Sequence, residues 1–220
     1  MANVLLEEKF YLENDVITIA KLLLGKLLVT NINGSLCSGI IVETEAYRGK
    51  DDRGAHSYGQ KILNKNKTMF EQGGRAYVYI CYGVHPMMNV VTSALHVGDA
   101  VLIRAVQPVE GIEIMHERRQ FRGKNPFELT NGPGKLAIAF GINKAQDSSK
   151  LFDVNSMVQI FDYNFNVKNI YTGQRVGMSP RIGSCAFRLW RFYIEDNKWV
   201  SKPKHIDYRS NPKFKSICNI

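Results

Sequence analysis

The stretch that decides how this chain folds lies at residues 40–47 and reads Ile-Ile-Val-Glu-Thr-Glu-Ala-Tyr. An extended backbone points alternate side chains to opposite faces. One face of such a strand carries Ile40, Val42, Thr44 and Ala46, and the other carries Glu43, Glu45 and Tyr47. Carboxylates are rarely buried without a partner. Two of them beside a phenol on so apolar a strand indicate either a catalytic cleft or a solvated face with an ordinary pair of glutamates.

A predicted β-hairpin positions this strand. Lys26–Asn31 alternates into a strand, Asn33-Gly34 is typical of a two-residue turn, and Ser35–Tyr47 is the returning strand. A helix at 17–24, capped by Asn14 or Asp15, precedes the hairpin. The other predicted elements are helices at 109–122 and from about 133 to 141, and strands at 75–82, 88–92, 100–106, 158–161, 167–171, 190–194 and 199–201.

The composition is that of one globular domain with a basic surface. The 220 residues are 45% hydrophobic and 22% charged, and no repeat or linker interrupts them, so we expect a single domain over residues 1–220. The 29 Lys and Arg residues outnumber the 20 Asp and Glu residues, which leaves a formal net charge of +9. A membrane surface or a nucleic acid would suit this charge. Because no run approaches the roughly 18 apolar residues of a membrane-spanning helix, a nucleic acid is favoured.

The cysteines indicate a reduced protein without a cysteine-based metal site. They are scattered without a Cys-x-x-Cys pair, at Cys37, Cys81, Cys185 and Cys218. This spacing signals neither a zinc site nor a redox motif, and it fits the free thiols of a cytosolic protein. The N-terminal residues contain acids before the first base and no uninterrupted apolar run. We therefore expect no secretory signal.

Two segments after the first acidic strand carry candidate ligand-binding groups. Arg48–Gly74 is polar and contains His56, and a stretch of that length is usually functional or mobile. His56 is either a ligand contact or a satisfied polar residue. In the strand at 75–82, Tyr77 and Tyr79 share one face. They form either a platform for a flat ring or ordinary strand packing.

Two polar residues interrupt apolar strands. Asn89 lies between Met88 and Val90, where its amide is an unusual choice for packing but suits the reading of a hydrogen-bonding edge. Arg104 interrupts the apolar run at 100–106. A buried arginine without a partner is very costly, so a carboxylate or a substrate is expected beside it.

Together these features describe a pocket for an aromatic base carried on a polyanion, and the sequence resembles the alkyladenine (3-methyladenine) DNA glycosylases. The resemblance extends from about Leu22 to Tyr193. Its blocks are Val42–Tyr47, Ala55–Ser57, Tyr77–Gly83, Met88-Asn89, Leu102–Ala105, Gly132–Leu136 and Pro180–Gly183. The His85-Pro86 pair and the region from Lys61 to Lys67 depart from the family pattern.

The resemblance implies how a damaged base would be held. Enzymes that act on a base in a duplex turn it out of the stack. Tyr82 matches the residue that fills the vacated position, with His85 or Met87 as the other candidates for this wedge. The flipped base would lie between Tyr47 on one side and His56 with Tyr79 on the other. Tyr77 would line the same pocket.

The resemblance also implies the catalytic residues. Glu45 matches the general base that activates a water for attack on the sugar C1′, and Arg104 matches the residue that positions Glu45 and that water. Glu43 would have a supporting role. Asn89 matches the residue whose amide disfavours the 2-amino group of normal guanine. No lysine occupies a matching nucleophile position, which implies a monofunctional glycosylase.

The implied fold is α+β, a single mixed domain around a curved, largely antiparallel β-sheet with surrounding helices. The implied partner is double-stranded DNA that contains damaged purines: 3-methyladenine, 7-methylguanine, hypoxanthine or ethenoadenine. We expect no metal, no other cofactor and no membrane partner. A monomer in the cytoplasm, associated with the nucleoid in a bacterium, is the expectation for assembly and location.

Two other functions are compatible with parts of the pattern. A non-catalytic DNA-damage-binding module would keep the fold and groove without releasing a base. A nucleobase deaminase would use zinc, but its His-x-Glu and Pro-Cys-x-x-Cys signatures are absent from the sequence.

Overall fold

An antiparallel sheet of nine strands organises the computed structural model, which describes residues 3–202. Cys218 lies outside this range. The strands are β1 Val4–Leu5, β2 Leu27–Ile32, β3 Ser35–Tyr47, β4 Ala76–Cys81, β5 His85–Thr92, β6 Asp99–Glu110, β7 Val158–Asp162, β8 Ile170–Gly173 and β9 Arg191–Ile194. The α-helices are α1 Val16–Leu22, α2 Ile112–Arg119 and α3 Pro133–Ala139.

The strand order is β1-β7-β2-β3-β6-β5-β4, and every described pairing between the named strands is antiparallel. β9 pairs with β3, and β8 pairs with β9, so these two strands extend the sheet. This single mixed domain agrees with the predicted α+β class. No helix within residues 3–202 has both the length and the apolar composition that a membrane span requires.

The β2–β3 hairpin forms where the sequence predicts it. Ile32 pairs with Ser35, so Asn33 and Gly34 are the two turn residues. Their φ angles of 55° and 72° lie in the left-handed region. Both central residues of a type I′ turn need this region, which Asn and Gly adopt more readily than other residues. The local sequence therefore sets the register of β3 against β2.

Helix α1 covers one face of β3. The Asp15 carboxylate accepts hydrogen bonds from the backbone amides of Ile17 and Thr18, at 2.9 and 3.3 Å, and so caps the helix. The hydroxyl of Thr44 in β3 donates to the Ala20 carbonyl of α1 at 2.8 Å. The side of β3 that carries Thr44 therefore faces the helix layer and the main core.

Four of the predicted elements differ from the structure by three residues or more at one or both ends. β6 continues through Pro108 to Glu110, because β3 is long enough to pair with it as far as Ser38. Only then does the chain turn at Gly111, whose φ is +77°, and a Cβ there would lie 2.3 Å from the Leu36 carbonyl oxygen. The predicted helix at 109–122 is therefore reduced to α2. β5 begins at His85 rather than at residue 88, and β8 begins at Ile170 rather than at residue 167.

The predicted strand at 199–201 is absent from the described structure. Trp199 lies in a turn and Val200 in the bend that follows, and the backbone N–H of Ser201 donates to the Glu43 carboxylate at 2.7 Å. The buried Glu43 side chain thus accepts the hydrogen bond that a neighbouring strand would accept if residues 199–201 belonged to the sheet. The block Pro180–Gly183 of the family resemblance opens a kinked 3-10 segment over Pro180–Phe187.

Candidate active site

The strand register brings the candidate site residues onto one face of the sheet. Tyr77 in β4 lies opposite Asn89 in β5, and Asn89 lies opposite Leu102 in β6. Leu102 in turn lies opposite Glu45 in β3. Directly opposed residues in neighbouring strands project to the same face. Residues that are far apart in sequence therefore form a row across four strands, on the side opposite Thr44.

An irregularity in the sheet aims Arg104 at the two glutamates. In the β3–β6 ladder, Glu43 pairs with Ala105 but Thr44 pairs with Ile103, so Arg104 has no opposed residue. Bulges of this kind redirect a side chain and are frequent beside active sites. The Arg104 side chain contacts both acids, with Nε 2.8 Å from Glu43 Oε1 and Nη1 3.2 Å from Glu45 Oε1. Of the two partners predicted for Arg104, a carboxylate or a substrate, the structure shows carboxylates.

The glutamates are buried in a nearly neutral ion cluster. Glu43 and Glu45 are both 0% exposed, and Arg104 is 6% exposed. Arg191 of β9 adds a second cation, with Nε 2.7 Å from Glu43 Oε1. Burial by itself would lower the pKa of Arg104, but the Glu45 and Glu43 carboxylates outweigh it and raise that pKa. The arginine therefore remains charged between the two acids.

Glu45 has two further donors. The Tyr47 hydroxyl donates to Oε2 at 2.8 Å, and the backbone N–H of Val176 donates to Oε1 at 2.7 Å. Burial, followed by the Glu45 charge, raises the pKa of the Tyr47 hydroxyl well above its usual value. Tyr47 therefore stays protonated and remains a donor. These contacts fix the orientation of the Glu45 carboxylate.

An aromatic wall faces this cluster. The Tyr77 and Tyr79 rings stack with centroids 5.6 Å apart and an angle of 28° between their planes. The His56 ring meets Tyr79 nearly edge-on at 4.5 Å, and its Nδ1 lies 3.0 Å from the Tyr77 hydroxyl. Burial and the Lys65 charge lower the pKa of His56, while burial raises the pKa of Tyr79 to about 12. The wall is therefore mainly uncharged near neutral pH.

The polar segment that carries His56 is held in place by a buried asparagine. Asn66 donates to the carbonyls of His56 and Lys61 at 2.8 and 3.1 Å, and its side-chain oxygen accepts from the Leu63 amide at 2.7 Å. Short 3-10 turns at Tyr58–Gln60 and Lys67–Phe70 complete the segment. The sequence offered no pattern that singled out Asn66.

Tyr82 projects from the tip of the β4–β5 hairpin. Its side chain is 93% exposed, and its φ of 50° is followed by a φ of 77° at Gly83. The Val84 amide closes the turn by donating to the Cys81 carbonyl at 3.2 Å. A bulky residue with positive φ is uncommon, and such strain concentrates at functional sites. The turn presents the ring of Tyr82 to the outside.

A cavity of about 260 Å³ lies between these groups, near the lower end of the roughly 300–1,000 Å³ typical of small-molecule sites. Seven of the eight predicted site residues line it: Tyr47, His56, Tyr77, Tyr79, Tyr82, Asn89 and Arg104. Glu45 is fully buried and does not line the cavity. Its partners Tyr47 and Arg104 do, so the carboxylate lies directly behind the cavity surface.

Several lining residues were not found from the sequence. They are Gly54, Met69, Cys81, Leu102, Pro133, Val176, Gly177 and Met178. Leu102 falls within a block of the family resemblance, and its place opposite Glu45 could have been found from a correct register. Cys81 and Pro133 also fall within such blocks. The others carry no chemical signal of their own, because apolar side chains and glycines are common throughout the chain. Within residues 3–202, no cluster of three or more His, Cys, Asp or Glu side chains is arranged to hold a metal ion.

Comparisons with known proteins give a consistent result. The family model described as methylpurine-DNA glycosylase matches residues 9–198. A relative from Clostridium tetani is 40% identical over 204 residues, which cover 90% of this chain and 98% of that protein. Another from Clostridium acetobutylicum is 42% identical over 200 residues, covering 88% of this chain and 95% of that protein.

A relative from Chlamydia pneumoniae is 49% identical over 147 residues, covering 67% of this chain and 75% of that protein. All three relatives carry the provisional name of 3-methyladenine DNA glycosylase.

Proposed function

This chain belongs to the methylpurine-DNA glycosylase family, and on that premise we propose that it excises alkylated and deaminated purines from double-stranded DNA. Its substrates are 3-methyladenine, 7-methylguanine, hypoxanthine and ethenoadenine, and its product is an abasic site. The observation that carries the proposal is the aromatic cavity with the buried Glu45–Arg104 pair directly behind its surface. The net charge of +9 suits the DNA backbone.

Recognition begins when the damaged nucleotide turns out of the duplex. Unstacking costs a few kcal/mol, roughly, and the exposed ring of Tyr82 fills the gap that remains. The flipped base lies between the Tyr47 ring and the His56–Tyr79 pair. Tyr77 lines the same pocket. Stacking on such rings contributes about 1–3 kcal/mol per base, which offsets much of the cost of flipping.

Glu45 acts as the general base. A water held near the Tyr47 hydroxyl and Arg104 attacks the sugar C1′ as the bond from C1′ to the base nitrogen breaks. The bonding electrons leave with the base, and the proton of the water passes to Glu45. The carboxylate charge also stabilises the oxocarbenium ion that develops on the sugar. The Arg104 contact at 3.2 Å supports this assignment, because it fixes the carboxylate.

Substrate choice follows from leaving-group chemistry and from Asn89. Alkylation that puts positive charge on a purine lets the base leave as a neutral molecule. The Asn89 amide is held by its hydrogen bond to the Tyr77 carbonyl, 3.1 Å away. In that position it disfavours the 2-amino group of normal guanine. Since the sequence offers no lysine at a nucleophile position, we assign hydrolysis without a Schiff base and without strand cleavage.

The test is base release from short duplexes with one hypoxanthine or ethenoadenine, and from methylated DNA. Wild type and Glu45→Gln are compared, with abasic sites revealed by alkali. We expect release by wild type only and lesion binding by both, because glutamine keeps the shape but cannot accept the proton. Glu13→Gln is a matched control, since Glu13 is exposed and does not line the cavity.

Equal release by Glu45→Gln and wild type would remove Glu45 from the mechanism. No release by wild type from any of these substrates, together with tight binding to abasic DNA, would replace the proposal with the non-catalytic damage-binding function.

A further inference from the structure

Residues 175–178, Arg-Val-Gly-Met, form a segment that we call the wall segment. Val176, Gly177 and Met178 line the cavity. The Val176 amide donates to Glu45 Oε1 at 2.7 Å, across 131 positions of sequence. The wall segment therefore supplies both a surface of the cavity and one of the donors that hold Glu45.

Arg175 anchors the wall segment to the sheet and to the loop after β3. Its guanidinium makes a two-pronged ion pair with Asp52 and donates to the carbonyls of Ala46 and Cys185 at 3.1 and 3.0 Å. It also lies over the ring of Tyr47, with Cζ 4.6 Å from the ring centroid. Arg175 thus contacts the ring of the same tyrosine whose hydroxyl donates to Glu45.

This ion pair does not bind substrate directly. Asp52 is 0% exposed and Arg175 is 3% exposed, and neither lines the cavity. A DNA phosphate could not reach a guanidinium buried to this extent. Buried ion pairs contribute little net stability compared with apolar residues of similar volume. The pair is therefore better explained by the geometry that it imposes on its neighbours than by general stabilisation.

We infer that Asp52 and Arg175 are positioning residues for base excision. Arg175, held by Asp52, keeps the Val176 amide and the Tyr47 hydroxyl directed at the Glu45 carboxylate. The inference rests on the proposed glycosylase function, because it assigns Glu45 the role of general base. Loosening the pair leaves the cavity able to hold a base but lets the carboxylate rotate away from the attacking water.

The variants Asp52→Asn, Arg175→Lys and the double variant test this. Asparagine keeps the shape of Asp52, and lysine keeps the charge of Arg175, but neither can maintain the two-pronged contact. Asp51→Asn is the matched control. Asp51 is the neighbouring residue in the same loop, and it pairs with Arg48 and Arg188 rather than with any residue that contacts Glu45.

Single-turnover base release separates positioning from folding. The rate constant reports the geometry of correctly folded molecules, whereas the amplitude reports how many molecules are folded. We expect each single variant to lower the rate constant about 10- to 100-fold, the usual cost of misplacing a catalytic group. Lesion affinity should stay within about threefold of wild type, and the Asp51→Asn rate constant should match wild type.

The double variant should be no slower than the slower single variant, because the two residues act as one unit. A wild-type rate constant in Asp52→Asn and Arg175→Lys would overturn the inference. So would a loss confined to the amplitude or to lesion affinity, or rate losses that multiply in the double variant. Failure of wild type to release any base would instead overturn the proposed function.

Discussion

Glu43 and Glu45 are two residues apart and equally buried, but their surroundings differ. Glu43 accepts from Arg104 and Arg191, and from both the backbone N–H and the hydroxyl of Ser201. Of these two arginines, only Arg104 contacts Glu45, at the longer distance of 3.2 Å. The two environments suit two roles, since Glu43 is fully engaged in holding strands together whereas Glu45 lies behind the cavity surface.

At Asn89 we predict a change in substrate discrimination. The Asn89→Ala variant removes an amide that lines the cavity. If this amide excludes the 2-amino group, as we propose, the variant should accept guanine. We expect the rate of guanine release relative to hypoxanthine release to rise about tenfold, within the roughly 10–200-fold range of small pocket changes. Release from matched guanine and hypoxanthine duplexes measures this ratio. An unchanged ratio would show that Asn89 does not exclude guanine.

At His56 we predict a loss of lesion affinity in acid. The folded pKa of His56 is lowered from 6.5 by burial and by Lys65. As the pH falls below 6.5, the unfolded state takes up this proton before the folded state does. The stability that neutral His56 contributes is therefore present above pH 6.5 and is lost as the pH falls through the folded pKa. Protonation in the folded protein would also repel a cationic base in the pocket.

The measurement is binding of the Glu45→Gln variant to a duplex with 7-methylguanine, between about pH 7 and about pH 5. We expect the affinity to fall toward acid, and to fall less when His56→Gln is added. The same pH dependence in both proteins would assign the effect to another group.

At the scale of secondary structure, the β4–β5 hairpin combines two functions. Its strands supply Tyr77, Tyr79 and Asn89 to the cavity, and its tip carries Tyr82. The left-handed turn with Gly83 at its centre aims the tip away from the core. One short hairpin therefore links a residue that would enter the duplex to the pocket that would receive the flipped base.

We predict that Tyr82→Ala weakens lesion binding without destabilising the fold. The side chain is 93% exposed, so its removal should change the free energy of unfolding by less than about 0.5 kcal/mol. Loss of one stacking ring should lower lesion affinity about tenfold. Val84→Ala, at the same tip, is the matched control. If affinity and rate of Tyr82→Ala equal those of wild type, the wedge is another residue, with His85 and Met87 as the candidates.

For the whole molecule, Glu43 joins segments from distant parts of the chain. It lies in β3 and contacts β6 through Arg104, β9 through Arg191, and the end of the described chain through Ser201.

We predict that Glu43→Gln lowers the free energy of unfolding by about 3–5 kcal/mol, because two buried arginines lose their shared counter-charge. Urea denaturation measures this loss. Glu7→Gln breaks only an exposed pair with Lys9, which solvent screens, so its urea midpoint should stay close to that of wild type. Equal losses in the two variants would contradict the structural role of Glu43.

The sequence by itself determined the parts of this protein that depend on neighbouring residues. The Asn33-Gly34 turn, the Asp15 cap and the division of β3 into a helix-facing side and an acidic side all follow from local backbone preferences and side-chain alternation. The strand alternation that put Tyr77 and Tyr79 on one face agrees with the stacking of their rings. Local backbone preferences and side-chain alternation were sufficient at these positions, because no contact with a distant segment opposed them.

Tertiary structure alone decided the rest. β6 continues through Pro108 because its partner β3 is long, and residues near Trp199 form no strand because a buried carboxylate binds the backbone there. The wall segment reaches Glu45 across 131 positions, and Arg175 meets Asp52 across 123. Contacts at such separations depend on how the sheet, loops and core pack together in three dimensions, and no local pattern in the chain encodes them.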